Sequence, residues 1–141
     1  MGGQRQRRIL VVEDDFFVSD VLLQDLSDRG YAVDLAINAR MLGRHLEQHP
    51  PDLILLDIML PGMDGTEIGH LLRVNPVTAH IPIVMVSADR HLAAKAQRVG
   101  VDAWIAKPFD SDELAAKIAE ILEGRLPAGP LPADDADVDY P

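Results

Sequence analysis

Short apolar runs alternate with longer stretches of helical spacing along most of the chain. Runs of strand length occupy residues 9–12, 31–36, 53–56, 81–86 and 101–106. Each is followed by a stretch in which apolar positions recur at three-to-four spacing, the period of a helix with one buried face. The helices so predicted are 16–28, 39–48, 66–74, 90–99 and 111–123; in the first, Val18, Val21, Leu22, Asp25 and Leu26 carry the spacing. The runs at 9–12, 53–56 and 81–86 are almost continuously apolar, as parallel strands covered on both faces are. The pattern is (βα)5, and the fold class it predicts is α/β, an open doubly wound parallel sheet of five strands. Helix stops agree with it. Gly30 and Gly100 follow the first and fourth helices, Pro50–Pro51 and Pro76 close the second and third, and Asp110 with Glu113 forms a capping box for the fifth.

Composition narrows the setting. A chain of 141 residues is long enough for one core. With 48% hydrophobic and 26% charged residues it reads as a folded globular protein. It has no cysteine, which excludes disulfides and thiolate metal sites and makes cytoplasm the expected compartment. The start, MGGQRQRR, is basic, but the apolar run behind it stops at Glu13 and is too short for a signal segment or a membrane span. Residues 1–7 are read as a basic extension, with Arg5, Arg7 and Arg8 as a solvated start. The net charge of −10 argues against nucleic-acid and anionic-membrane surfaces, which need clustered Lys and Arg. Residues 124–141, rich in Pro, Ala and Asp and without apolar period, are read as a disordered acidic tail. The globular unit is then 8–123, a stand-alone module with no output domain attached.

In open parallel sheets, ligands bind at the carboxyl ends of the strands. Those positions are polar here: Glu13, Asp14 and Asp15 end the first run, Asp57 the third, Ser87 the fourth, and Lys107–Pro108 the fifth. Converged carboxylates repel unless a cation compensates, and oxygen-only ligation favours a hard ion such as Mg²⁺. Asp57 beside such an ion is a carboxylate nucleophile able to form an aspartyl phosphate. Lys107 and Ser87 would supply a positive charge and a hydroxyl for phosphoryl oxygens.

Taken together, RILVVEDD, LILLDIMLPGMDG, IVMVSA and AWIAKPF, in this order and spacing, resemble the receiver domain of two-component response regulators over about residues 8–123. The resemblance implies a flavodoxin-like fold with strand order 2-1-3-4-5. It implies Asp57 as phosphoacceptor from a histidine kinase or phosphotransfer protein, with Mg²⁺ held by Glu13, Asp14, Asp57 and the backbone carbonyl of Met59. Asp15 would lie outside the metal shell. Lys107 matches the family's lysine, Lys107–Pro108 its cis peptide, and Ser87 its switch hydroxyl, where Thr is more frequent. Trp104 stands where a Tyr or Phe usually switches, and its larger indole restricts a full inward rotation; the bland alternative is a half-exposed residue serving only packing or partner contact. The implied output is a remodelled face of the fourth helix, fifth strand and fifth helix that binds a downstream protein, and through which such modules also form homodimers. Met59 and Asp89 border the route of the attacking water in this family, and an apolar Met59 predicts slow self-hydrolysis.

Two rivals use the same residues. A phosphatase with aspartyl-phosphate chemistry would need a second acid two residues after the nucleophile, where Met59 stands. A pseudo-receiver would bind partners without phosphate, against which the full set Glu13, Asp14, Asp57, Ser87 and Lys107 weighs. The five histidines are read as surface residues, and Met41, Met59, Met63 and Met85 as core or rim packing.

Overall fold

The computed structural model describes residues 5–124. The predicted tail lies, but for Gly124, outside the described residues, as do residues 1–4.

Five parallel strands form one sheet: β1 (Arg8–Val12), β2 (Ala32–Ala36), β3 (Leu53–Leu56), β6 (Ile83–Ser87) and β7 (Ala103–Ala106), in the order β2-β1-β3-β6-β7. Among these five the order is 2-1-3-4-5, as the resemblance implies. The helices are α1 (Phe16–Asp28), α2 (Ala39–Gln48), α3 (Gly65–Val74), α4 (Leu92–Val99) and α5 (Ser111–Leu122). Period-two alternation explains the continuous apolar strands. Ile9, Val11, Leu53 and Leu55 pack with Leu22 and Leu26 of α1 and Leu114 and Ile118 of α5. Leu10, Val12, Ile54 and Leu56 pack on the other face with Leu42 of α2, Ile68 and Leu72 of α3, and Leu92 and Ala96 of α4.

Helix ends follow the sequence. Asp15, Asn38, Asp64 and Asp110 each accept backbone N–H bonds in the first turn of α1, α2, α3 and α5. Gly100 closes α4 at φ 85°, a left-handed conformation that costs glycine little. Two strands start two residues later than their apolar runs. The Val101 amide is spent on Ala96 O at the end of α4, so β7 begins at Ala103. Pro82 has no N–H to donate, and the Ile83 amide donates to the Asp102 side chain.

One element was not predicted. β4 (Met59–Leu60) and β5 (Met63–Asp64) form a small antiparallel ribbon, Met59 opposite Asp64, around a Pro61–Gly62 turn with Gly62 at φ 71°. It lies directly after the third strand and folds the loop back to the start of α3.

The N-terminal arginines are tied to the fold. Arg5 pairs with Asp52, Arg7 donates to Leu122 O at the end of α5, and Arg8 pairs with Asp34. Exposed they are in part, but they hold sheet and helix ends together where the sequence suggested only a solvated start.

Candidate functional site

Hydrogen bonding past the strand ends carries the site residues into place. Glu13 N donates to Ala36 O, Asp57 N to Val12 O and Lys107 N to Ser87 O, so three chain segments stay in register for one residue beyond the apolar core. Their side chains meet at the carboxyl edge. One oxygen each from Glu13, Asp14 and Asp57 lies within 4.8 Å of the others. Glu13 and Asp57 are buried while Asp14 is exposed, which gives the cluster one open side.

Lys107 is the cation of this edge. Its Nζ donates to Glu13 Oε1 at 2.7 Å and to Asp57 Oδ2 at 3.2 Å. Burial works against the ammonium, but the bond to Glu13 and the field of Asp57 outweigh it and hold its pKa above the usual lysine value. Burial pushes the Glu13 carboxyl upward, and the bond from Lys107 only partly offsets that. One ammonium facing three carboxylates leaves a net negative pocket of hard oxygen donors, which is a fit for a small divalent cation.

The other Asp57 oxygen, Oδ1, accepts from Met59 N at 3.0 Å. The resemblance implies a role for the Met59 carbonyl; the contact here is through its amide, two residues after Asp57, the span of an Asx turn. The Met59 side chain points outward and is largely exposed. Asp15 accepts from Phe17 N and Val18 N as the α1 cap, so its side chain is committed to the helix start.

Ser87 is fully buried at the end of β6, and its Oγ accepts from Asp89 N at 3.1 Å. The Asp89 carboxylate is engaged by Lys95 and by His91 N, which together hold it below the usual carboxylate range. Lys107–Pro108 is a cis peptide, as the motif implied. Trp104 is not half-exposed: it is 8% exposed and belongs to the cluster with Met85, Leu92 and Ala96 under α4. Among the histidines, His70, His80, His91 and His49 are exposed, whereas His45 is half-buried against Leu35 O. Met85 is core, and Met59 is rim.

Beside Lys107 opens a recess of about 460 Å³, lined by Phe17, Val18, Val21, Ala88, Pro108 and Phe109. Phe16, Phe17 and Val21 are strongly exposed on α1 next to it. Nothing in the helical period of α1 requires aromatics at its first two positions, so their exposure carries no sequence signal.

Known proteins share both the sequence pattern and the shape. The chain is 34% identical over 122 residues to the phosphate regulon transcriptional regulatory protein PhoB of Rhizobium meliloti, covering 85% of this chain and 54% of that protein. It is 37% identical over 135 residues to the transcriptional regulatory protein BaeR of Escherichia coli, covering 92% and 54%. The chain thus spans about half the length of these curated relatives. A CheY-like response regulator receiver domain protein from Methanospirillum hungatei superposes with a TM-score of 0.77 at 31% identity, covering 86% of this chain and 97% of that one. Residues 9–119 match the family model described as the response regulator receiver domain. With the acidic trio, the lysine and the buried hydroxyl standing at the carboxyl edge of a sheet of that order, the chain belongs to the response regulator receiver domain family of two-component signalling.

Proposed function

We propose that Asp57 accepts a phosphoryl group from the phosphohistidine of a histidine kinase or phosphotransfer protein, and that the phosphorylated module signals by binding a downstream protein in the cytoplasm. The observation that carries this reading is the bridge of Lys107 between Glu13 and Asp57, with an acidic trio of oxygens within 4.8 Å. An Asp57 oxygen attacks phosphorus as the bond to the donor imidazole breaks, and the imidazole leaves with that electron pair. Glu13, Asp14, Asp57 and the Met59 carbonyl would hold Mg²⁺, which when bound neutralises charge on the transferring phosphoryl group. Lys107 sits where its ammonium can pass from the Asp57 carboxylate to a phosphoryl oxygen. The Met59 amide fixes one carboxylate oxygen, leaving the other to react.

Ser87 supports the same step. The Asp89 amide occupies a lone pair of its hydroxyl, so the O–H remains to donate to a phosphoryl oxygen. Drawing Ser87 toward phosphate would loosen the region of Trp104 and remodel the α4–β7–α5 face. The exposed aromatics of α1 with the recess beside Pro108 suit a helical phosphodonor, whose imidazole must come within bonding distance of Asp57. With Met59 apolar and exposed where an aspartyl-phosphate phosphatase has its second acid, the module holds its phosphate and turns over no separate substrate.

Intact-mass measurement with phosphoramidate and Mg²⁺ tests this. One added phosphate is expected, absent with Asp57→Asn and absent with EDTA. An unmodified native chain under conditions where Mg²⁺ binds would sink the proposal.

A further inference from the structure

Gly62 lies in the turn of the short ribbon and Gly65 just after it, yet they are glycine for different reasons. Gly62 needs its positive φ. Gly65, the first residue of α3, has no such φ and could be alanine on conformational grounds alone. Space forbids it. A Cβ on Gly65 would lie 2.3 Å from Asp57 O, 2.5 Å from Ile58 Cα and 2.9 Å from Ile58 O. All three are main-chain atoms, so no side chain can swing aside. The Gly65 amide meanwhile donates to Ile58 O at 2.8 Å. The start of α3 is therefore pressed onto the peptide that follows the phosphoacceptor.

We infer that Gly65 is a positioning residue for the Asp57 carboxylate, holding the 57–58 peptide where one carboxylate oxygen meets the Met59 amide and the other meets Lys107. Residues 57 to 65 form a closed loop. Met59 pairs with Asp64 across the ribbon, Asp64 caps α3 through Thr66, and Ile58 O receives Gly65 N. Any side chain at 65 must push the 57–58 peptide back by about 1 Å to reach an ordinary contact distance. That shift is transmitted to a carboxylate whose neighbours are set at 3.0 Å and 3.2 Å. Gly69, one turn on, is the contrast. Its Cβ would meet only the side-chain ends of Val99, Met85 and Leu56, at 3.0 Å or more.

The inference rests on the proposed phosphoacceptor reading but is read out apart from it. Amide NMR of the full chain, titrated with MgCl2, is compared for the native protein, Gly65→Ala and Gly69→Ala, and phosphoramidate rates are measured alongside. For folded Gly65→Ala, the amides of Asp57, Ile58 and Met59 shift and Mg²⁺ affinity falls about tenfold, as for lost support of metal ligands. The phosphorylation rate falls about 100-fold, the scale of a 1 Å misplacement. Gly69→Ala stays native-like in both. A folded Gly65→Ala with native Mg²⁺ affinity and rate overturns the inference, and so does Gly69→Ala with the same losses. If Gly65→Ala does not fold, Asp64→Ala, which frees the start of α3 without a collision, must show weakened Mg²⁺ binding, and unchanged binding overturns the inference. A native chain that binds Mg²⁺ but takes no phosphate defeats the proposed function alone, leaving the Mg²⁺ comparison as the test of Gly65.

Discussion

Lys107 illustrates how one residue would serve stability and the proposed chemistry together. It lies between two carboxylates that are 3% and 5% exposed. Lys107→Ala would leave both buried without a cation, and breaking a buried pair costs about 3 kcal/mol or more. Chemical denaturation in EDTA should show that loss, and Mg²⁺ should restore part of it. Equal loss with and without Mg²⁺ would mean that the metal and the lysine do not share those oxygens. Trp104, the only tryptophan, gives a second residue-scale test. Its indole is packed under α4, so a phosphorylation-driven rearrangement must change its emission. A fluorescence change with phosphoramidate and Mg²⁺, abolished in Asp57→Asn, is expected; an unchanged spectrum on a fully phosphorylated chain would mean the indole stays in place. At this scale the sequence was most legible where a polar residue ends an apolar run, as for Glu13, Asp57, Ser87 and Lys107. The Gly65 contact was hidden, because it depends on the fold-back of a two-stranded ribbon too short to leave a period, whereas the Met59 amide bond is a local turn two residues after Asp57.

Between elements, cross-links were less legible than the elements themselves, since a long-range hydrogen bond has no periodic signature. Arg73 near the end of α3 donates to Gly100 O, Ala79 O and Ile81 O and pairs with the largely buried Asp102, which also accepts from Ile83 N. One guanidinium thus ties α3 to the entries of β6 and β7. Lys cannot reproduce that fork, and Arg73→Lys should cost about 2 kcal/mol in urea unfolding while leaving the phosphorylation rate of the folded chain unchanged. A reduced rate would show that the clamp reaches the opposite edge of the sheet. Asp52 plays a comparable part before β3, accepting from the Arg8 amide at 2.7 Å and pairing with Arg5. The Arg5 bond first, with the Arg8 amide helping, holds its carboxyl below the ordinary range. A depressed folded pKa stabilises above the unfolded value and loses that contribution as pH falls through the folded one. Asp52→Asn should therefore cost about 1 kcal/mol at pH 7, with the gap to the native chain closing below about pH 4. A gap independent of pH would assign the effect to packing.

Across the whole molecule, the two-faced core followed from the continuous apolar runs, because only a sheet covered on both sides buries every position of a strand, while the strand order was implied by the family resemblance. What no single segment carries is the charge balance of the site. Glu13 and Asp14 arrive from β1 and Asp57 from β3, and their oxygens come within 4.8 Å only when the sheet is assembled. The unfolded chain has no such site, so Mg²⁺ held there as proposed would bind the native state preferentially and stabilise it by mass action, by about 2.7 kcal/mol at a concentration 100 times its Kd. The melting temperature should climb with MgCl2 and level only slowly, while NaCl at matched ionic strength reproduces little of the rise. Asp14→Asn separates specific binding from general screening of a chain with net charge −10. Asp14 is the exposed member of the trio, so its removal leaves the core intact, relieves repulsion among the oxygens and raises stability in EDTA. The same substitution should flatten the Mg²⁺ response. If Asp14→Asn instead kept the full Mg²⁺-dependent rise, the ion would be acting on the surface charge as a whole, and the acidic trio would not be its site.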